Sequence, residues 1–240
     1  MAIDIGPSEL QEIVRQIVAQ LNHLEKVPAY KRPLGAYSSM EEAITRAAAG
    51  QKKLLKLDLG EREKLITAIR QTLRRHAPEL SELAVAETGM GRVPDKVIKN
   101  NLVADKTPGT EDLITEAWSG DKGLTLVEMS PFGVIGAITP STNPIATIFC
   151  NVIGMIAGGN SVVFSPHPGA KNCSLRAVEL INQAILEAGG PEDAVVCVAE
   201  PSMDKTQIMF QHPAVNLLVA TGGPGLVKAV LRSGKKAVGA

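Results

Sequence analysis

The strongest constraint on the fold is a rhythm that begins near residue 133 and continues to residue 240. Short apolar runs, "GVIGAIT", "SVVFS", "DAVVCVA", "AVNLLVAT" and the start of "KKAVGA", alternate with longer segments of helical character. Those segments are "NPIATIFCNVIGMIAGG", "GAKNCSLRAVELINQAILEAGG", "SMDKTQIMFQH" and "GPGLVKAVLRSG". The apolar runs are continuous rather than alternating, which predicts strands buried on both faces, as in a parallel sheet layered by helices. The expected fold is therefore α/β: a doubly wound parallel sheet preceded by a helical segment, with ligands held beyond the strands' carboxyl ends.

Ahead of this rhythm, residues 39 to about 105 carry helical signals. Ser39 followed by Glu42 resembles a capping box. Leu65, Ile66, Ile69 and Leu73 share a face, Gly89 is a natural stop, and Arg74-Arg75-His76 reads as a solvated helix end. "GLTLVEMSP" predicts a strand ended by Pro131. Near the N-terminus, Leu10, Ile13, Val14, Ile17, Val18, Leu21 and Leu24 form a narrow apolar helical stripe behind a Ser8 cap. The following "KVPAYKRPLGAYSS" reads as a linker. The expected organisation is an amphipathic helix over 1–25, a linker over 26–38 and a nucleotide-binding domain over 39–240. Within that domain we expect a helical lead over 39–120, an arm strand over 123–130 and a Rossmann-like part over 131–240. A terminal helix cut off by a linker reads either as a helix folded back on its own domain or as a docking peptide, and the linker favours docking.

Composition narrows the function. Lys plus Arg and Asp plus Glu number 25 each, so no basic field is available for nucleic acid or an anionic membrane. No run reaches a membrane span's roughly 18–20 apolar residues, and no secretory signal is present. Three widely spaced cysteines form neither a disulfide framework nor a metal site, so no metal is expected and a cytoplasmic setting is the default.

Three expected strand ends carry ligand-type turns. Thr139-Pro140-Ser141-Thr142-Asn143-Pro144 combines a rigid backbone with free polar side chains. Ser165-Pro166-His167-Pro168 is again rigid and polar, and Thr221-Gly222-Gly223-Pro224-Gly225 opens a helix whose N–H groups can receive a phosphate. Three such turns on one sheet edge indicate a nucleotide site, although G-x-G-x-x-G fails at its last glycine. Cys150, Cys173 and Cys197 have no local base or cation and read as core packing rather than nucleophiles.

"SPFGVIGAITPSTNP", "GGNSVVFSPHPGAKNCS" and "ATGGPGLVKAVLRSGKKAVGA" together resemble the aldehyde dehydrogenase superfamily over about residues 39–240. They are most similar to its CoA-acylating propionaldehyde and acetaldehyde dehydrogenases of bacterial microcompartments. The resemblance implies NAD as cofactor in an atypical Rossmann domain, with NADP left open, and CoA as co-substrate. It implies the conversion of a short-chain aldehyde to acyl-CoA through a thioester on a cysteine. Carried over by position, Thr139, Pro140 and Ser141 would line the nicotinamide side, and Ser165, Pro166 and His167 would face the adenosine ribose. Thr221, Gly222, Gly223 and Gly225 would hold the pyrophosphate, and either Thr142 or Asn143 would be the oxyanion donor. Ala240 falls where hydrolytic members keep a water-activating Glu. The family's catalytic cysteine lies in a following domain, so the resemblance implies that this chain is the cofactor part with the catalytic domain absent. It further implies a microcompartment shell protein as partner of residues 8–24, and a homo-oligomer through the arm "GLTLVEM". A non-catalytic nucleotide-binding or scaffold protein complete at 240 residues is the alternative. A hydrolytic aldehyde dehydrogenase is disfavoured by Ser165–Pro168 and by Ala240.

Overall fold

The computed structural model describes residues 33–240. The amphipathic helix expected over 1–25, its stripe at 8–24 and the first part of the linker lie outside the described residues.

The described chain opens with a short strand, β1 (Ala36–Tyr37), inside the segment expected to be linker. Three helices follow: α1 (Met40–Leu54), α2 (Leu59–Thr88) and α3 (Val93–Lys106). Ser39 caps α1 by accepting from the Glu42 N–H at 3.2 Å. The reciprocal capping box belongs to α2, between Asp58 and Glu61. Gly89 ends α2 in the left-handed conformation, at φ 67°. Arg74–His76, expected at a helix end, lie inside α2, because the helix continues through Pro78 for another turn and more. Arg74 pairs there with Asp105 and His76 with Glu79, each at 2.7 Å.

Residues 116–120, expected within the helical lead, form a strand instead. This strand, β2 (Glu116–Gly120), pairs antiparallel with β3 (Gly123–Val127) as an exposed hairpin. The Rossmann-like part then runs β4 (Val134–Thr139), α4 (Pro144–Ala157), β5 (Ser161–Pro166), α5 (Lys171–Glu187), β6 (Val195–Val198), α6 (Met203–Gln211), β7 (Val215–Ala220), α7 (Pro224–Leu231) and β8 (Lys236–Gly239). The six strands form one all-parallel sheet in the order β1-β6-β5-β4-β7-β8.

Every residue of β4, β5 and β6 is buried, as continuous apolar strands require. Alternate side chains feed two cores. Ile135, Ala137, Val162, Phe164, Val195 and Cys197 pack against α2, α4 and α5. Val134, Ile138, Val163, Val196, Val198 and Leu218 pack on the other face against α1 and α6. Full burial of a side chain such as Phe164 contributes about 1.5–3 kcal/mol.

The chain winds from β4 through β5 to β6 and then reverses, since β7 returns to the other side of β4. This reversal leaves a crevice beyond the carboxyl ends of β4 and β7, where open α/β sheets hold ligands.

One close approach fixes α1 on the sheet. A Cβ added to Gly50 would lie 2.5 Å from the Asp193 carbonyl carbon and 2.7 Å from the Ala194 nitrogen, both backbone atoms that cannot swing aside. We predict that Gly50→Ala lowers the unfolding free energy by about 1–3 kcal/mol, read from urea denaturation.

Candidate functional site

The crevice is a cavity of about 880 Å³, within the range of small-molecule sites. The turn after β4 supplies Thr139, Pro140, Ser141 and Thr142. The turn after β5 supplies Ser165, Pro166 and His167, and the turn after β7 supplies Thr221, Gly222, Gly223 and Gly225. Ala240 closes one side: its carbonyl accepts from the Gly222 N–H at 3.0 Å, and its N–H donates to the Ala220 carbonyl at 2.9 Å. Eleven of the twelve residues expected at the site thus line one space. Asn143 does not. Its carboxamide oxygen accepts from the Lys99 ammonium, on the side of the turn that faces α3.

Four helices begin at this sheet edge, and their first-turn N–H groups have no intrahelical acceptor. At α5 that demand is met by the protein itself: the Glu87 carboxylate accepts from the Asn172 N–H at 2.9 Å and the Cys173 N–H at 2.8 Å. At α6 the Ser202 hydroxyl accepts from the Lys205 N–H. Helices α4 and α7 have no side-chain cap and no acidic residue in the first turn. Of these two, α7 opens with glycines. A Cβ on Gly223 or Gly225 would meet nothing within 4 Å, so only open space lies there. An anionic group is therefore best received at α7, where the dipole and unpaired N–H groups are both uncompensated.

The polar residues around the cavity are not equivalent. The Thr206 hydroxyl donates to the Ser202 carbonyl at 2.9 Å, so in the 2.8 Å Ser165–Thr206 bond Ser165 is the donor. Ser165 is left with acceptor capacity, suited to a ligand hydroxyl. His167 Nδ1 accepts from the Gly169 N–H at 3.1 Å, which places the neutral ring's proton on Nε2 as a donor. The Thr139 hydroxyl is buried without a hydrogen-bond partner, as expected of a group awaiting one. Among the described residues no Asp or Glu lines the cavity. Among the described residues no cluster of His, Cys, Asp and Glu could hold a metal ion.

The cysteines divide. Cys173 and Cys197 are buried, and burial raises both thiols, Cys173 to about 12 with a further contribution from Glu87. Cys150, expected to be core packing, is exposed. Thr147, Cys150, Asn151 and Gly154 form the outer stripe of α4, while Ile148, Phe149, Val152 and Ile153 face inward. None of the three lines the cavity.

Sequence reasoning missed a fourth wall, made by Pro201 and Ser202 just ahead of α6 and by Met203, Thr206, Gln207 and Phe210 along it. The Ser202 cap was its legible signal. It also missed Lys96 and Lys99 of α3, which hold the turn after β4 from behind.

The sequence model of the aldehyde dehydrogenase family matches residues 12–239. The chain belongs to that family. Among curated relatives it is 43% identical to the acetaldehyde dehydrogenase (acetylating) EutE of Escherichia coli (strain K12) over 232 residues, covering 97% of this chain and 49% of the relative. Among solved structures it resembles a propionaldehyde dehydrogenase from the Clostridium phytofermentans fucose utilisation bacterial microcompartment. That match has a TM-score of 0.85 at 56% identity, over 86% of this chain and 48% of the other. The propionaldehyde dehydrogenase of Rhodopseudomonas palustris, solved with bound propionyl-CoA, matches with a TM-score of 0.84 at 54% identity, over 86% of this chain and 46% of the other. The chain spans about half the length of the relatives it matches.

Gly225 provides a clean test of the cavity, because a Cβ placed there has no neighbouring atom within 4 Å. Gly225→Leu is expected to keep the melting temperature within a few degrees and, if the cavity takes a nicotinamide dinucleotide, to weaken NADH or NADPH binding by at least about tenfold, or 1.4 kcal/mol, in a fluorescence titration.

Proposed function

We propose that this chain is the cofactor-binding part of an oxidoreductase that converts a short-chain aldehyde, propanal or acetaldehyde, with CoA and NAD to acyl-CoA and NADH. The observation that carries this reading is the uncapped, glycine-opened N-terminus of α7 beside the orphaned Thr139 hydroxyl, in one cavity at the sheet's switch point. Supporting it are the relatives' names, an acetylating acetaldehyde dehydrogenase and propionaldehyde dehydrogenases, one of them with bound propionyl-CoA.

In this reading Gly223 and Gly225 receive the pyrophosphate, with α7's dipole offsetting its charge. Ser165 and the His167 Nε2–H address the adenosine ribose, and Thr139, Pro140 and Ser141 form the nicotinamide side. The nicotinamide, when bound, supplies the hydride acceptor. The ordinary ribose-binding carboxylate has no counterpart in the cavity lining among the described residues, so no charged contact there selects NAD over NADP. Ala240 offers no carboxylate to activate water, which suits a thioester passed to CoA rather than hydrolysed.

The three cysteines of this sequence are outside the cavity, so the reaction needs a thiol that this chain does not bring there. The purified 240-residue chain is expected to bind NADH saturably yet to form no NADH from NAD, propanal and CoA. Absorbance at the NADH band checks the second point, and turnover by the chain alone would contradict it.

Residues 8–24 are further proposed to dock on a microcompartment shell protein, which places the enzyme inside such a compartment, with assembly into a homo-oligomer through the hairpin. Deleting residues 1–25 is expected to abolish co-sedimentation with shells while leaving NADH affinity unchanged.

A further inference from the structure

The turn after β4 is gripped by two ammonium groups from α3. Lys96 and Lys99 stand three residues apart and so project to the same side of the helix. Lys96 is only 6% exposed, and its Nζ donates to the Thr142 carbonyl at 2.9 Å. Lys99 is half-buried and donates to the Asn143 carboxamide. An ammonium has donors only, so the carboxamide atom that meets Lys99 must be its oxygen. The Asn143 NH2 is consequently turned away from the lysine. Nor is that carboxamide used by the helix it precedes, since α4 has no side-chain cap.

The electrostatics of this corner run against the usual rules. Two ammonium groups and the positive end of α4 converge on one turn. The small pocket they share is lined by Ala84, Lys96, Lys99, Asn100 and residues 143–146, with no carboxylate, and among the described residues neither lysine has an acidic partner. Burial lowers the proton affinity of both, and Lys96 lowers that of Lys99 further. A structural turn needs no such arrangement. It does suit a place where negative charge develops on an oxygen during reaction.

We propose that Lys99 is a positioning residue that turns the Asn143 NH2 outward as the hydrogen-bond donor for the developing oxyanion of the aldehyde, while Lys96 anchors the Thr142 carbonyl. The proposal rests on the oxidoreductase reading above. It assigns the two candidates different places: Thr142 belongs to the cofactor cavity and Asn143 to the oxyanion.

NMR on the whole 240-residue chain tests it. Asn143→Asp identifies the Asn143 NH2 signals by their disappearance. Lys99→Met is expected to shift those signals, and Lys99→Arg, which keeps a donor, to return them toward the wild-type position. Acetate, as a probe for an anionic oxygen, is expected to shift the pair in the wild-type chain and less in Lys99→Met. NADH affinity, measured by fluorescence on the same samples, is expected to change by less than about twofold, because Lys99 does not line the cofactor cavity. An NH2 pair unmoved in Lys99→Met, or indifferent to acetate, overturns the proposal. A wild-type chain that binds no NADH overturns the cofactor reading instead, and the NMR comparison still decides whether Lys99 orients Asn143.

Discussion

The structure depends on one constraint: the central strands are apolar on both faces. Ile135 and Ala137 face one helical layer and Val134 and Ile138 the other, so neither side of the sheet can be left to water. Two-sided cover requires a helix between successive parallel strands, and every such helix must start at the carboxyl edge. Four helix N-termini therefore gather along one rim as a consequence of burial, before any ligand is considered. The functional question then becomes which of those ends the protein satisfies internally.

The answer differs from helix to helix. Glu87, reaching from α2, occupies the N-terminus of α5 with both carboxylate oxygens. Ser202 occupies that of α6. The ends of α4 and α7 are left bare, one beside two lysines and the other among glycines with open space in front. An anionic group thus has one well-prepared seat, and the two lysines make a separate electropositive corner across the turn after β4, where we propose that the carbonyl oxygen is received.

Much of this was legible in the sequence, for identifiable reasons. Continuous runs such as "SVVFS" admit no solvent face, and turns such as Thr221–Gly225 announce themselves by composition. What escaped were features set by partners distant in the chain. Ala36–Tyr37 became a strand because β6 offered an edge, and Glu116–Gly120 because β3 folded back on it. Cys150 was misread because α4 is apolar nearly all round, so hydrophobic periodicity gives little warning of its outer stripe. Lys96 and Lys99 look like ordinary helix-surface cations until α3 is placed behind the turn they hold. Composition reveals groups that act locally; groups that act through tertiary contact need the fold.

The central claim is that the bare end of α7, rather than the occupied end of α5, receives the cofactor's phosphates. Amide-resolved NMR of the chain, titrated with NADH, tests this most directly. The account predicts that the N–H signals of Gly223 and Gly225 shift on binding while those of Asn172 and Cys173, already committed to Glu87, stay in place. Shifts at Asn172 and Cys173 with Gly223 and Gly225 unmoved would contradict it.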